Sequence, residues 1–308
     1  MSEIARATTH VAITMPVYNR RETTLKALDS LSAIDRTGLD VTIIVVDDGS
    51  TDGTSEAIRR RFPDVVLLHG DGTLHYAAGT NRGLQEALDR GAAYVIAMND
   101  DTVVDPPFVQ RLLACVRAHP RAIVGALLLL QGEPQRVFQV GPHWDVWYGG
   151  WHIPQHWTVA QVPAEPFEVE MLVGNCLMYP ASVLREAGLM EEDIFHFGGS
   201  DAHFTTRLRR AGWRLLVEPR ARVWCEQNTY PAPLRTLSLR QTLRILFVNE
   251  QHPLNLRRQF TLRWYSAPSR PQALAAFAVY LGRLGMKALG VGHTWPTYWA
   301  DPTPPLAR

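Results

Sequence analysis

The chain has 308 residues, 46% of them apolar and 20% charged, with no low-complexity tract, which excludes a disordered protein and suits one large domain or a domain with an appended part. Three widely spaced cysteines, Cys115, Cys176 and Cys225, exclude a disulfide framework and a CxxC metal site, and no uncharged apolar stretch reaches membrane-spanning length. Net charge is +1, but residues 1–206 carry 15 Lys+Arg against 26 Asp+Glu while residues 207–308 carry 16 against 4, so the basic surplus is confined to one end.

The polar start through His10 shows no signal peptide, and a reducing cytoplasm fits the cysteine usage. Strand-like runs rich in β-branched or apolar residues fall at 10–15, 41–46, 65–69, 94–98 and 123–130. Helical spacing falls between them at 22–34, 55–62, 78–90 and 107–118. In the first helix Leu25, Leu28 and Leu31 form the apolar stripe, with Lys26 and Asp29 facing water. Asp52 or Thr54 is expected to cap the second helix and Asp105 the fourth. Apolar strands alternating with amphipathic helices predict a mainly parallel sheet covered on both faces.

From 132 to 166 the pattern fails, and Trp144, Trp147, Tyr148, Trp151 and Trp157 crowd together among Gly and Pro, which predicts a long irregular loop. That segment can supply stacking faces for a sugar, form a lid, or plug the sheet. A strand at 169–179, helices at 181–187 and 201–211, and short strands at 214–217 and 222–225 follow. Beyond Pro233 helical spacing dominates through Leu289, broken near Pro253 and Pro268.

Ligands of an open α/β sheet bind at the carboxyl ends of its strands. Two strands here end in acid: 43–46 runs into Asp47-Asp48-Gly49-Ser50, and 94–98 into Asn99-Asp100-Asp101. Such clusters repel unless a cation or hydrogen-bond donors separate them, and Mg²⁺ held by one or two carboxylates plus substrate phosphates is an economical answer. Acidic residues in these positions also serve as helix caps.

Val11-Ala12-Ile13-Thr14-Met15-Pro16-Val17-Tyr18-Asn19-Arg20, Val45 to Asp52, Gly79-Thr80-Asn81-Arg82-Gly83 and Asn99-Asp100-Asp101, in that order, resemble the family-2 glycosyltransferases, whose fold is GT-A. The likeness runs from about His10 to Cys225. It implies a GT-A domain over 1–232, with a nucleotide-sugar half (1–130) and an acceptor half (131–232), and a helical extension over 233–308. It also implies that Pro16, Tyr18, Asn19 and Asn81 line the donor site and that Asp48 bonds the base or ribose. Asn99 and Asp100 would orient ribose or sugar, and Asp101 would bind a divalent metal, Mg or Mn, on the donor diphosphate. Asp201, in Gly198-Gly199-Ser200-Asp201, resembles the family's acidic helix start and would be the general base of an inverting transfer. A plain helix cap is the alternative for that residue.

Two departures stand out. Ser200 replaces the Glu that many members place before the Asp, and Cys225 stands where many carry a His. A thiolate suits Mg²⁺ poorly, so Cys225 is either a small core residue or the metal shell is completed by other groups. The implied partners are a nucleotide-sugar donor and a glycan or lipid-linked acceptor. No nucleic-acid recognition motif accompanies the basic charge. The apolar 273–289 segment, with Arg283 and Lys287, can lie on the inner face of an anionic membrane, bind a lipid-diphosphate acceptor, pack on the domain, or pair with a second copy of the chain. Competing readings are a catalytically silent glycan-binding scaffold and a nucleotidyltransferase. The latter lacks its Gly-rich basic loop, because Pro16-Val17-Tyr18-Asn19 occupies that place.

Overall fold

The computed structural model describes residues 8–152, 157–226 and 236–288. Strands β1 (Thr9–Val17), β2 (Leu39–Asp47), β3 (Val66–His69) and β4 (Tyr94–Met98) alternate with helices α1 (Arg21–Ser32), α2 (Thr54–Arg61) and α3 (His75–Asp89). β1 pairs in parallel with β2 and β4, and β2 with β3. All four therefore end at the same sheet edge.

β5 (Thr102–Val104), α4 (Phe108–Ala118), β6 (Ala122–Leu130) and β7 (Glu133–Gln139) come next. After β8 (His143–Asp145) and β9 (Gly150–His152) the chain makes β10 (Phe167–Glu168), β11 (Cys176–Pro180), α5 (Ala181–Ala187), α6 (Ser200–Arg210) and β12 (Arg214–Cys225). The strand order is β10-β12-β6-β11-β4-β1-β2-β3. β12 runs parallel to β6, whereas β11 lies antiparallel between β6 and β4. The sheet is thus mixed and mostly parallel in its first half.

Alternating side chains of β1 enter two cores. Val11, Ile13 and Met15 join Leu25, Leu28, Ile58 and Phe108 of α1, α2 and α4 on one face. Ala12 joins Leu84, Leu184, Phe204 and Leu208 of α3, α5 and α6 on the other. Helices on both faces are what continuous apolar strands require.

Four expectations need correction. The 132–166 stretch contains β7, hairpinned onto β6 through Gly132 (φ 85°), and the β8–β9 ribbon. These edge strands are short and interrupted by Gly and Pro, so no period betrays them. Of the expected 169–179 strand only the end forms, as β11 from Cys176, while β10 precedes it at Phe167–Glu168. The segments 214–217 and 222–225 are one strand, shifted in register between Glu218 and Arg222. Neither helix is capped by an expected side chain: Asp105 pairs with Arg111 at 2.6 Å, and Gly53 is the N-cap of α2, with Asp52 one position before it accepting from the Thr54 amide at 3.1 Å.

Helices α7 (Leu239–Phe247), α8 (Leu256–Ser266) and α9 (Arg270–Ala288) close the described chain. Arg210 donates to the carbonyls of Tyr265, Ser266 and Ala267, Trp151 Nε1 to Ser266 Oγ (2.7 Å), and Arg263 Nε to Gly149 O (2.6 Å). Trp151 and Trp157 are buried, so the tryptophan segment is partly a plug, while Trp147 is exposed. α9 turns Ala273, Ala276, Tyr280 and Leu284 inward, so it packs on the protein along one face. Leu289 and Pro233 lie outside the described residues, as does the side chain of Lys287.

At the α6–α8 contact His203 is 6% exposed and stacks on Phe195 at 5.0 Å. Burial, then Arg207, Arg210 and Arg270, lower its pKa to about 4. The folded state keeps the ring neutral while the unfolded chain protonates near pH 6.5, so this stability is complete above about 6.5 and lost as pH falls toward 4. We expect roughly 3 kcal/mol of loss across that window, read by urea unfolding, and a flatter profile in His203→Phe.

Helix α3 also meets β1 without clearance. A Cβ on Gly83 would overlap Thr14 Oγ1 and come within 3.0 Å of Thr14 Cβ. Gly83→Ala should therefore lose about 1–2 kcal/mol despite its better helix propensity, and the Thr14→Ala/Gly83→Ala double variant should regain most of it.

Candidate active site

The carboxyl ends of β2, β1 and β4 lie side by side, and each carries chemistry-bearing residues. At β2, Asp47 Oδ1 accepts from Ser50 N (2.8 Å) and its Oδ2 from Ser55 Oγ. Asp48 is buried, and its carboxylate takes the backbone N–H groups of Gly72 (2.9 Å), Leu74 (3.2 Å) and His75 (3.0 Å). It thereby fixes the loop entering α3. Gly70 is required beneath it, since a Cβ there would stand 2.5 Å from Asp48 Oδ1.

After β1, Pro16 is half-buried and Tyr18 is 53% exposed. Asn19 adopts φ 50°, a conformation Asn tolerates, and its Oδ1 accepts from Thr51 N at 2.7 Å. The β1 and β2 loops are tied together by that bond.

At the end of β4, Asp100 is buried and Asp101 half-buried. Arg20 reaches across to both, 2.9 Å from Asp100 Oδ1 and 3.4 Å from Asp101 Oδ2, and lies 3.6 Å from Glu226. The repulsion expected between the acidic clusters is thus relieved by donors: Arg20 on one side, Ser side chains and backbone amides on the other. Burial pushes Asp100 up to about 6; Arg20 opposes this and Asp101 adds to it. Two oxygens here, Asn99 Oδ1 and Asp101 Oδ1, are buried without a hydrogen-bond partner.

Those orphan oxygens suit a hard cation that completes its shell with water and phosphate. Among the described residues no group of three His, Cys, Asp or Glu side chains is spaced to hold a metal unaided. Cys225 is not a candidate ligand. It is wholly buried in the core, its Sγ meets Asn175 Nδ2 at 3.6 Å, and burial, then Asp101, keep the thiol protonated.

Asp201 comes to this edge through β11. Asn99 N donates to Asn175 O (3.1 Å), and the preceding Gly174 N donates to Asp201 Oδ2 (2.9 Å). Asp201 Oδ1 has no hydrogen bond among the described residues. The helix-cap alternative does not hold, because Gly199 (φ 92°) is the N-cap of α6 and Asp201 bonds outside its own helix. Tyr76 Oη donates to Gly174 O (3.3 Å), and its phenol is kept protonated by burial, then by Asp201.

Asn81 stands apart from these groups. Its amide donates to Met190 O (2.9 Å) and Glu192 Oε2 (2.7 Å) and accepts from Met190 N (2.9 Å), so it clamps α3 to the segment before α6. Sequence reasoning assigned no role to Arg20, Tyr76, Asn175 or Glu226. Arg20 had one legible signal, as a cation directly after Asn19 in a strand-end loop.

A rhamnosyltransferase of Mycobacterium tuberculosis, N-acetylglucosaminyl-diphospho-decaprenol L-rhamnosyltransferase, is 28% identical over 75% of this chain and 78% of its own. An N-acetylglucosaminyltransferase of Azorhizobium caulinodans is 27% identical over 71% of this chain and 55% of its own. In fold, the chain is similar to GalNAc-T7 solved with UDP, GalNAc and Mn²⁺ (TM-score 0.61, 14% identity, covering 89% of this chain and 55% of that one). It is also similar to a mannosyltransferase of Pyrobaculum calidifontis solved with GDP-Man and Mn²⁺ (TM-score 0.51, 18% identity, covering 94% and 82%). The model of glycosyl transferase family 2 matches residues 12–188, more than half of the chain, and the protein belongs to that family.

Proposed function

We propose that this glycosyltransferase moves a sugar, with inversion, from a nucleotide-diphosphate donor to a hydroxyl of a lipid-linked glycan acceptor. The observation that carries the reading is the link from Asn99 through Asn175 and Gly174 to Asp201, which sets one carboxylate opposite the acidic strand end. The acceptor class rests on the rhamnosyltransferase likeness, and a divalent cation, Mg or Mn, on the orphan oxygens and on the Mn²⁺ in the two similar folds.

In this proposal the base stacks by Pro16 and Tyr18, and the loops tied by Asn19 and Asp48 frame the ribose. Asn99 and Asp100 orient the sugar, and Asn81 braces the segment ahead of α6 through Met190. Asp101 would hold the metal, which supplies charge stabilisation to the departing diphosphate. Asp201 Oδ1 takes the acceptor proton while the freed oxygen attacks the anomeric carbon from the face away from the diphosphate. Domain boundaries at 130 and 232, with the acceptor half between them, follow from this division of labour.

A cytoplasmic enzyme with such an acceptor works at a membrane face. Among the described residues no helix is long and apolar enough to cross a bilayer. The outer face of α7 fits peripheral contact better than α9 does. Leu239, Leu243 and Phe247 recur four apart and, with Val248, are 47–75% exposed, beside the exposed Arg240 and Arg244. Apolar area plus arginines matches an anionic lipid surface. Leu243→Glu/Phe247→Glu should cut co-sedimentation with phosphatidylglycerol vesicles severalfold without changing the melting temperature.

Thermal stability with UDP, GDP and TDP, with and without Mn²⁺, tests the donor site. Saturation near a hundred times Kd should add about 2.7 kcal/mol with one nucleotide. Asp101→Ala should lose the metal-dependent part. Asp201→Asn should keep nucleotide binding yet lower transfer at least a hundredfold. Transfer that survives in Asp201→Asn would remove the base, and no transfer by any form would favour the silent scaffold.

A further inference from the structure

A cavity lies between α8 and the loop that leads into α6, apart from the groups assigned to the donor. It measures about 280 Å³, close to the lower end of the roughly 300–1,000 Å³ usual for small-molecule sites. One wall is the 193–198 loop, which Asn81 anchors at its start through Met190 and Glu192 and which ends in the Gly198-Gly199 turn into α6. The other wall is α8, with Arg257, Arg258 and Tyr265.

Gly198 has φ 113°, and a Cβ on it would stand 2.5 Å from Arg258 Nη2. The guanidinium therefore rests directly on the backbone that leads into Asp201. Burial lowers the pKa of Arg258, and the neighbouring Asp201 carboxylate opposes that shift. Its guanidinium makes one hydrogen bond among the described residues, from Nη1 to Gln251 O at 2.8 Å, and meets no carboxylate within ion-pair distance. Arg257 beside it is matched by Glu250 at 2.7 Å. A partly desolvated arginine with spare donors on a cavity wall is built for a planar or tetrahedral oxyanion.

Two features orient the ligand. Phe197 lies against His75 (ring centroids 4.8 Å), so this loop touches the loop that Asp48 holds on the donor side. Tyr265 offers an aromatic edge on the opposite wall. Asp193 also lines the cavity, so an anion is favoured at the arginine wall and not across the whole space.

We propose that this cavity holds the phosphate-bearing end of the acceptor, with Arg258 as its cation, so that the acceptor sugar extends toward Asp201. The inference rests on the transfer reading above and adds the recognition group for a sugar diphosphate. It also gives the C-terminal helices a part in substrate binding.

Metal-free titration calorimetry with inorganic pyrophosphate tests it, since chelation silences the metal-dependent donor site. Wild type and Asp101→Ala should bind alike, Arg258→Gln at least tenfold more weakly, and Arg258→Lys in between. Farnesyl diphosphate in place of pyrophosphate separates the sources: tighter binding indicates a lipid-linked diphosphate, and equal binding a soluble phosphate ester. Absent pyrophosphate binding in wild type, unchanged binding in Arg258→Gln, or loss in Asp101→Ala instead would overturn the assignment. Nucleotide-dependent stabilisation, followed in the same variants, should be untouched by Arg258→Gln. Failure of the donor reading appears there alone, in wild type, and is therefore distinct from failure of this one.

Discussion

The antiparallel strand β11, inserted between β4 and β6, is the constraint on which the two halves of the site depend. Without it the first four strands form a parallel half-sheet whose edge carries Asp48, Asp100 and Asp101 but no group facing them. β11 reverses direction, so the residues that precede it, Gly174 and Asn175, arrive at the end of β4. One backbone amide then receives Asp201. Buried amides must be matched, so the bond that satisfies Gly174 N also places the carboxylate. Gly174 is suited to this crowded spot, since a Cβ there would press on the Tyr76 hydroxyl and lie 3.1 Å from Asp201 Cβ.

The first half of the fold was legible because its physics is local. Runs such as Ile43-Ile44-Val45-Val46 are buried on both faces and read directly as parallel strands, and Leu25, Leu28 and Leu31 are buried as their spacing requires. The acidic strand ends were visible for the same reason. β5, β8 and β9 have three residues each and were hidden, since a period cannot be read from so few. The bonding partners of Asp48 and Asn81 were hidden for another reason. They are backbone groups 24 to 109 positions away and the Glu192 carboxylate, and nothing in a linear pattern records them.

The C-terminal part shows the limit of composition. Its basic surplus was plain, yet charge alone did not say which arginines are spent on structure. Arg210 and Arg263 are: Arg210 bonds the carbonyls of Tyr265, Ser266 and Ala267 at the end of α8, and Arg263 those of Gly149 and Gln259. Arg240 and Arg244 face outward. The distinction depends on which side of each helix meets the 149–151 ribbon and α6, and that follows from tertiary packing.

Arg20 carries a consequence for how the donor site fills. Its fork already spans Asp100 and Asp101, so in the proposed donor complex a cation brought by the diphosphate would have to displace a resident one. One arginine against Asp100, Asp101 and Glu226 leaves the cluster net acidic, so this pairing weakens its pull on a free cation without abolishing it. Such an exchange would become favourable if the incoming cation brought phosphate oxygens that the displaced guanidinium could bind in turn. Under the proposed function, metal and nucleotide would then be thermodynamically coupled guests, each raising the affinity for the other, with one arginine as the counterweight.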